Sequence, residues 1–221
     1  MLTRWVPTLV SFAVGAMLAV ALLDLLPEAF RRSSDSTGLF ATVLGGIVAF
    51  FVLEKFALWR HTHAHHPRTS DGRSRAALLI LVGDGVHNFV DGVLIAAAFL
   101  TDTSLGIVTT LAVIAHEIPQ EVGDFMVLLH GGYSRTRALA LNLLASLTAV
   151  AGGVAGYLVL DRTTAALPYA LALAAASFIY VAVADLIPDL HRQDTPTPAA
   201  AQVAMLVAGV AIVFAGQSLL H

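Results

Sequence analysis

Seven long apolar stretches constrain this chain most strongly. Each has at least the roughly 20 mostly apolar residues that an α-helix needs to cross a bilayer. They cover residues 6–30, 38–59, 76–100, 104–130, 137–160, 165–190 and 199–220. Because lipid offers backbone groups no hydrogen-bond partner, such stretches must be helical. The sequence therefore predicts an all-α integral membrane protein, with seven transmembrane helices in a single domain that covers residues 1–221.

Composition supports this class of protein and excludes others. The chain is 57% hydrophobic and 12% charged, with a mean hydropathy of +0.81, whereas soluble domains carry about 25% charged residues. A net charge of -3 without a basic block predicts no nucleic-acid partner. The sequence contains no cysteine, which excludes disulfides and thiolate metal sites.

The Lys/Arg balance of the connections predicts the orientation in the membrane. One side holds most of the arginines, namely Arg4, Arg60, Arg68, Arg73, Arg75, Arg135, Arg137 and Arg192, and the other holds Arg31, Arg32 and Arg162. The richer side is expected to be cytoplasmic. We therefore expect residues 60–75, a polar loop rich in His and Arg, in the cytoplasm and the C-terminus outside. The expected location is the plasma (inner) membrane.

A short sequence repeat links the first and sixth stretches. Residues 23–28 read LDLLPE and residues 184–189 read ADLIPD. Two matches this short can arise by chance. The two stretches run in opposite directions in the predicted topology, which is typical of the inverted repeats of many transporters. If the repeat holds, the fifth stretch has no N-terminal counterpart, and we expect one further helix before Met1.

The third and fourth stretches carry ionisable residues near their middles, as VGDGVHNFVDG at 82–92 and AHEIPQEVGDF at 115–125. A charge at the bilayer centre costs at least ~2.5–3.5 kcal/mol, so these residues need partners. At about 100° per residue, the polar groups of each helix fall on one stripe. Two facing stripes would offer imidazole nitrogens together with carboxylate and amide oxygens, the ligands that suit zinc and similar divalent ions. The alternative is that these groups only pair with each other and hold the helices together.

Spacing assigns roles within the stripes. His87 with Asp91, and His116 with Gln120, are i,i+4 pairs that can bind one ion between them. Pro119 leaves a backbone carbonyl without its helical partner, which is tolerated where a kink lines a polar cavity. Three acidic residues are expected to support the site: Asp84, Glu121 and Asp124.

These motifs resemble a known family. HNFVDG and HEIPQEVGDF are similar to the fourth and fifth helices of the ZIP (Zrt/Irt-like) divalent metal transporters, in the branch with HNxxDG and HExPHExGDF motifs. SFAVGAMLAVALLDLLPEAF, LNLLASLTAVAGG and SFIYVAVADLIPDLH resemble its second, sixth and seventh helices. The seven stretches would then be helices 2–8 of an eight-helix fold. The resemblance implies a homodimer that moves zinc, or cadmium, iron or manganese, toward the cytoplasm.

The resemblance also implies which residues act. Two adjacent metal sites between the helices at 76–100 and 104–130 would use the motif positions His87, Asn88, Asp91, His116, Glu117 and Gln120, with Asp91 and Gln120 as the bridging pair. Asp24 and Glu28 would stand at the outer entrance. The inner exit would have His130, Asp185 and the loop histidines His61, His63, His65 and His66.

Two departures from the family pattern matter. Gln120 stands where this branch has His, so we expect weaker binding or a changed metal preference, and Asp24 replaces a frequent His.

The alternative function is an intramembrane zinc-dependent hydrolase, because HEIPQ begins like the HExxH protease motif. That motif requires a second His where this chain has Gln120, so we do not expect an enzyme.

Overall fold

The computed structural model describes residues 6–63, 70–192 and 198–220, and within these ranges the chain forms seven helices and no strand. Helix α1 covers residues 6–32 as Val6–Ala19, Val20–Leu25 and Leu26–Arg32, followed by α2 at Ser36–His63, α3 at Ser70–Thr101 and α4 at Thr103–His130. Helix α5 comprises Arg135–Ser146 and Thr148–Leu160. Helix α6 comprises Thr164–Ala166, Leu167–Tyr180, Val181–Leu186 and Ile187–Arg192, and α7 is Ala199–Leu220.

The predicted all-α membrane class is confirmed. In the described part of the chain, 6 helices are long and apolar enough to cross a membrane. The remaining long helix is α4, which carries a stripe of polar and ionisable residues. Helices α2 and α3 extend further than predicted, because residues 60–63 and 70–75 of the predicted polar loop are helical. Pro67, the helix-breaking residue of that segment, lies among residues 64–69, outside the described residues.

The two copies of the short repeat have the same local structure. In α1 the stretch Val20–Leu25 is π-helical, and the N–H of Leu26 donates to the carbonyl of Ala21, five residues earlier. In α6 the stretch Val181–Leu186 is also π-helical, and the N–H of Ile187 donates to the carbonyl of Ala182. A proline, Pro27 or Pro188, lies two positions after the end of each π-helical stretch. The match therefore extends from sequence to backbone geometry, which favours a true repeat over chance.

Helices α1 and α6 form the centre of the molecule, and the other apolar helices surround them. The membrane-crossing windows of α1 and α6 are each 61% buried, against 11–22% for α2, α5 and α7. The buried core around α1 and α6 includes Met17, Leu25 and Phe178. The outer helices expose large apolar side chains such as Phe40 and Phe214, which a lipid surrounding would cover.

Glycines allow α3 and α5 to touch backbone to backbone. A side chain at Gly92 would overlap the backbone of Ala149, and one at Gly152 would overlap the carbonyl of Phe89. Small residues at such positions let membrane helices approach closely and gain dispersion energy. The contact fixes α5 directly behind the polar stripe of α3.

We predict that Gly152→Ala lowers the thermal stability of the detergent-solubilised protein, because the new methyl group meets the Phe89 carbonyl. The matched control is Gly45→Ala on α2, where a methyl group meets nothing within 4 Å. Ala is favoured over Gly within a helix by about 1 kcal/mol, so the control is expected to be neutral or stabilising. Equal melting temperatures for the two variants would contradict the close packing of α3 and α5.

Candidate metal centre

The polar stripes of α3 and α4 lie side by side because the two helices form a tight hairpin. Helix α3 ends at Thr101 and α4 begins at Thr103. Asp102 caps α4, because its side chain accepts hydrogen bonds from the backbone N–H groups of Ser104 at 2.8 Å and Leu105 at 3.1 Å. The predicted pairing of the two stripes is therefore present in the structure.

Four side chains meet between the helices in a first group: His87 and Asp91 from α3, and His116 and Glu117 from α4. His116 Nε2 lies 3.2 Å from Asp91 Oδ2 and 3.3 Å from Glu117 Oε1. His87 Nε2 lies 3.8 Å from Asp91 Oδ2 and 3.7 Å from Glu117 Oε1. The side chains thus alternate imidazole and carboxylate around a common centre.

Asp91 and His116 are buried, His87 and Glu117 are half-buried, and the contacts among the four side chains do not have hydrogen-bond geometry. His116 is 0% and Asp91 1% exposed. Among the described residues, no hydrogen bond reaches either Asp91 oxygen, the Nε2 atoms of His87 and His116, or Glu117 Oε1. The other ring nitrogen of His116, Nδ1, lies 3.2 Å from the carbonyl of Ala112. A proton on Nδ1 would donate to that carbonyl and leave the Nε2 lone pair directed at the group.

The spacing of these atoms fits a divalent ion such as zinc. Zinc binds imidazole nitrogen and carboxylate oxygen at about 2.0–2.2 Å, so neighbouring ligand atoms of a tetrahedron are about 3.4 Å apart. The four contacts span 3.2–3.8 Å, and all the ligand atoms lie within 4.8 Å of one another. The residues present can therefore surround one ion with only small side-chain movements.

A second group shares one residue with the first. Asp84, Glu117 and Glu121 also bring their oxygens within 4.8 Å of one another, so Glu117 belongs to both groups. The amides of Asn88 and Gln120 each lie 3.1 Å from Asp84 Oδ1, to which they donate. The structure thus places the Gln120 amide nitrogen on Asp84, and Glu117 is the residue common to both groups of His, Asp and Glu side chains. The bridging role expected of Asp91 and Gln120 stays a prediction. An amide N–H donor next to a carboxylate explains this placement.

Helix α5 contributes polar residues that the sequence reasoning missed. Ser146 donates its hydroxyl to Glu121 Oε1 at 2.5 Å, and the Asn142 amide donates to the Glu121 carbonyl at 3.0 Å. Thr148 donates to the carbonyl of Gly85 on α3 at 2.5 Å. The contacts from Ser146 and Asn142 hold Glu121 in its place in the second group. The available signal was the i,i+4 spacing of Asn142 and Ser146 within residues 138–147, which are otherwise apolar.

The predicted entrance residues line a cavity at the hairpin end of the site. The cavity has a volume of about 660 Å³ and is lined by residues that include Asp24, Glu28 and Asp102. Glu28 forms ion pairs with Arg31 and Arg32. The Arg32 guanidinium also donates to the carbonyl of Thr101 at 2.8 Å. The negative charge of Glu28 is therefore balanced by the arginines three and four residues later on the same helix.

The predicted exit residues are not all near the two groups. His130 is exposed at the end of α4, roughly 20 Å along the helix from His116, and its Nδ1 lies 2.7 Å from the carbonyl of Met126. Asp185 is exposed on α6. Its charge interacts with that of Asp124, which also interacts with Asp84 and Glu121. Of the loop histidines, His61 and His63 lie in the last turn of α2. His65 and His66 lie outside the described residues.

Exposure increases away from the cavity along the polar stripe of α4, although Leu128 near the far end of the helix is buried. Residues Leu105, Thr109, Ala112 and His116 are buried on this helix. Further along, Gln120, Glu121 and Asp124 are half-buried. The groups are therefore closed toward the cavity and more accessible toward His130.

Comparison with known proteins identifies the family. The family model described as ZIP Zinc transporter matches residues 60–216. The chain is 33% identical to zinc transporter ZIP13 of Pongo abelii over 92% of this chain and 64% of that protein. It is 42% identical to zinc transporter ZIP10 of Danio rerio over 56% of this chain and 15% of that protein. It is 31% identical to zinc transporter ZIP4 of Homo sapiens over 86% of this chain and 39% of that protein.

The chain spans between 15% and 64% of the length of these three relatives. The family match covers the hairpin of α3 and α4 and the helix α5 behind it, and thus both groups of ligating side chains. By sequence, the chain belongs to the ZIP zinc transporter family.

Proposed function

We propose that this chain transports zinc or a related divalent cation across a membrane through the two groups between α3 and α4. The observation that carries the proposal is the first group, His87, Asp91, His116 and Glu117, which lies between two helices with Asp91 and His116 fully buried. Its ligand atoms have no hydrogen-bond partner among the described residues. Buried polar atoms without partners are costly, and a cation that contacts all four side chains would remove that cost. The relatives named zinc transporters support zinc as the substrate.

The two groups offer different chemistry to the ion. The first group mixes imidazole with carboxylate, which favours zinc and its borderline neighbours. The second, Asp84, Glu117 and Glu121, has only carboxylates and would discriminate less among cadmium, iron and manganese. Glu117, common to both, would let an ion pass from one group to the other without losing all its ligands. Gln120 supplies no imidazole here, which weakens the hydrolase alternative.

The proposed direction is from the cavity to the cytoplasm. The cavity with Asp24 would collect the ion outside, and the half-buried acids Glu121 and Asp124 would release it inside, toward Asp185 and His130. The distribution of arginines supports a topology with the loop at residues 60–75 and the connection at 131–134 in the cytoplasm, and with the C-terminus outside the plasma (inner) membrane. We also propose that the protein forms a homodimer. Light scattering would then give a protein mass of twice the 23.2 kDa of one chain.

We predict that His116→Ala abolishes zinc uptake by proteoliposomes, because it removes a ligand from the centre of the first group. Loss of a residue that only supports a metal ligand costs roughly 10–100-fold in affinity, and loss of a ligand is expected to cost at least as much. The matched control is His191→Ala, which changes an exposed histidine at the end of α6 and should transport normally. Wild-type uptake by His116→Ala would remove this group from the transport route.

Orientation is tested with single cysteines, because the natural chain has none. We expect a membrane-impermeant thiol reagent to label Asp161→Cys, in the exposed connection between α5 and α6, on intact cells. Thr136→Cys, exposed at the start of α5, should be labelled only after the membrane is permeabilised. The reverse pattern would invert the proposed topology and the direction of transport.

A further inference from the structure

Helical hydroxyl groups in this chain usually bond to their own helix. The hydroxyls of Ser11, Thr42, Thr101 and Thr110 each donate to the carbonyl four residues earlier, at 2.7–2.8 Å. This local hydrogen bond satisfies the hydroxyl without a partner from another helix. It is therefore the expected arrangement for a threonine inside an apolar helix.

Two fully buried hydroxyls do not follow this pattern, that of Ser177 on α6 and that of Thr109 on α4, and Thr109 is the one on the helix of the metal ligands. Its side chain is 0% exposed, yet its Oγ1 has no hydrogen-bond partner in the described part of the chain. The next residue, Thr110, donates to the carbonyl of Gly106 at 2.7 Å. A buried hydroxyl without a partner lowers stability, and Val has nearly the same shape without that cost. A hydroxyl at this position therefore calls for a reason other than packing.

The position of Thr109 supplies a reason. Leu105 and Val108 of α4 line the cavity, and His116 lies about 12 Å further along the helix from Val108. Thr109 and His116 are seven residues apart and fall within about 20° of each other around the helix axis. Between the cavity and His116, the buried residues of α4 are Thr109, Ala112 and Val113. Among these three, only Thr109 has a polar side chain.

We propose that Thr109 Oγ1 is a transient ligand for the cation as it moves from the cavity to His116 and Asp91. This rests on the proposed transport function. A hydrated ion that leaves the cavity must shed water before it reaches the imidazole and carboxylate ligands, and a hydroxyl oxygen can replace one water molecule. A neutral oxygen binds the ion more weakly than a carboxylate does. Such a weak ligand eases passage without trapping the ion.

The test is the variant Thr109→Val in proteoliposomes loaded with a zinc-sensitive dye. We expect the maximal uptake rate to fall roughly fivefold to tenfold, while equilibrium zinc binding in detergent is unchanged because His116 and Asp91 are intact. Thr109→Ser, which keeps the hydroxyl, should restore most of the rate. The matched control is Thr110→Val, which removes the neighbouring hydroxyl and should transport like the wild type.

The outcomes separate this proposal from the transport function. Wild-type protein that binds zinc but moves none would overturn both. Active wild type with an equally active Thr109→Val would overturn only the role of Thr109. Thermal unfolding checks the premise, since Thr109→Val should melt at or above the wild-type temperature. A clear fall in melting temperature would show that the hydroxyl has a structural partner, and would overturn the proposal.

Discussion

The contact between Asp91 and His116 is the interaction on which the rest of the structure depends. Their side chains are 1% and 0% exposed, and their closest atoms are 3.2 Å apart. Burial of an ionised carboxylate costs several kcal/mol unless strong partners compensate for it. One imidazole cannot satisfy both Asp91 oxygens, neither of which has a hydrogen-bond partner within the described ranges. His87 and Glu117 complete the group, and a divalent cation would bind all four side chains at once.

The surrounding fold holds these side chains at fixed distances. The tight hairpin at Asp102 sets α3 and α4 side by side, and Gly92 with Gly152 lets α5 press against α3. From α5, Ser146 then reaches Glu121 and places it beside Asp84. The repeat in α1 and α6 places equivalent π-helical turns in the two central helices. Such turns occur frequently at functional sites in helical proteins.

Much of the fold and part of the site could be predicted from local spacing. The apolar stretches and the two polar stripes depend only on the helical period, so the pairing of α3 with α4 followed from sequence. The i,i+4 spacing of Glu28 and Arg32 also indicates their ion pair, which the sequence analysis did not include. The shared role of Glu117, the direction of the Gln120 amide and the contact from Ser146 depend on how helices rotate against each other. Sequence periodicity does not determine that rotation.

The most direct test of the central claim is anomalous scattering from crystals of the protein grown with zinc. The account predicts a zinc peak between α3 and α4, within about 2.0–2.2 Å of ligand atoms from His87, Asp91, His116 and Glu117. At higher zinc concentration, a second peak is expected beside Asp84 and Glu121. Zinc bound only elsewhere, with these four side chains in contact with one another and no metal among them, would contradict the account.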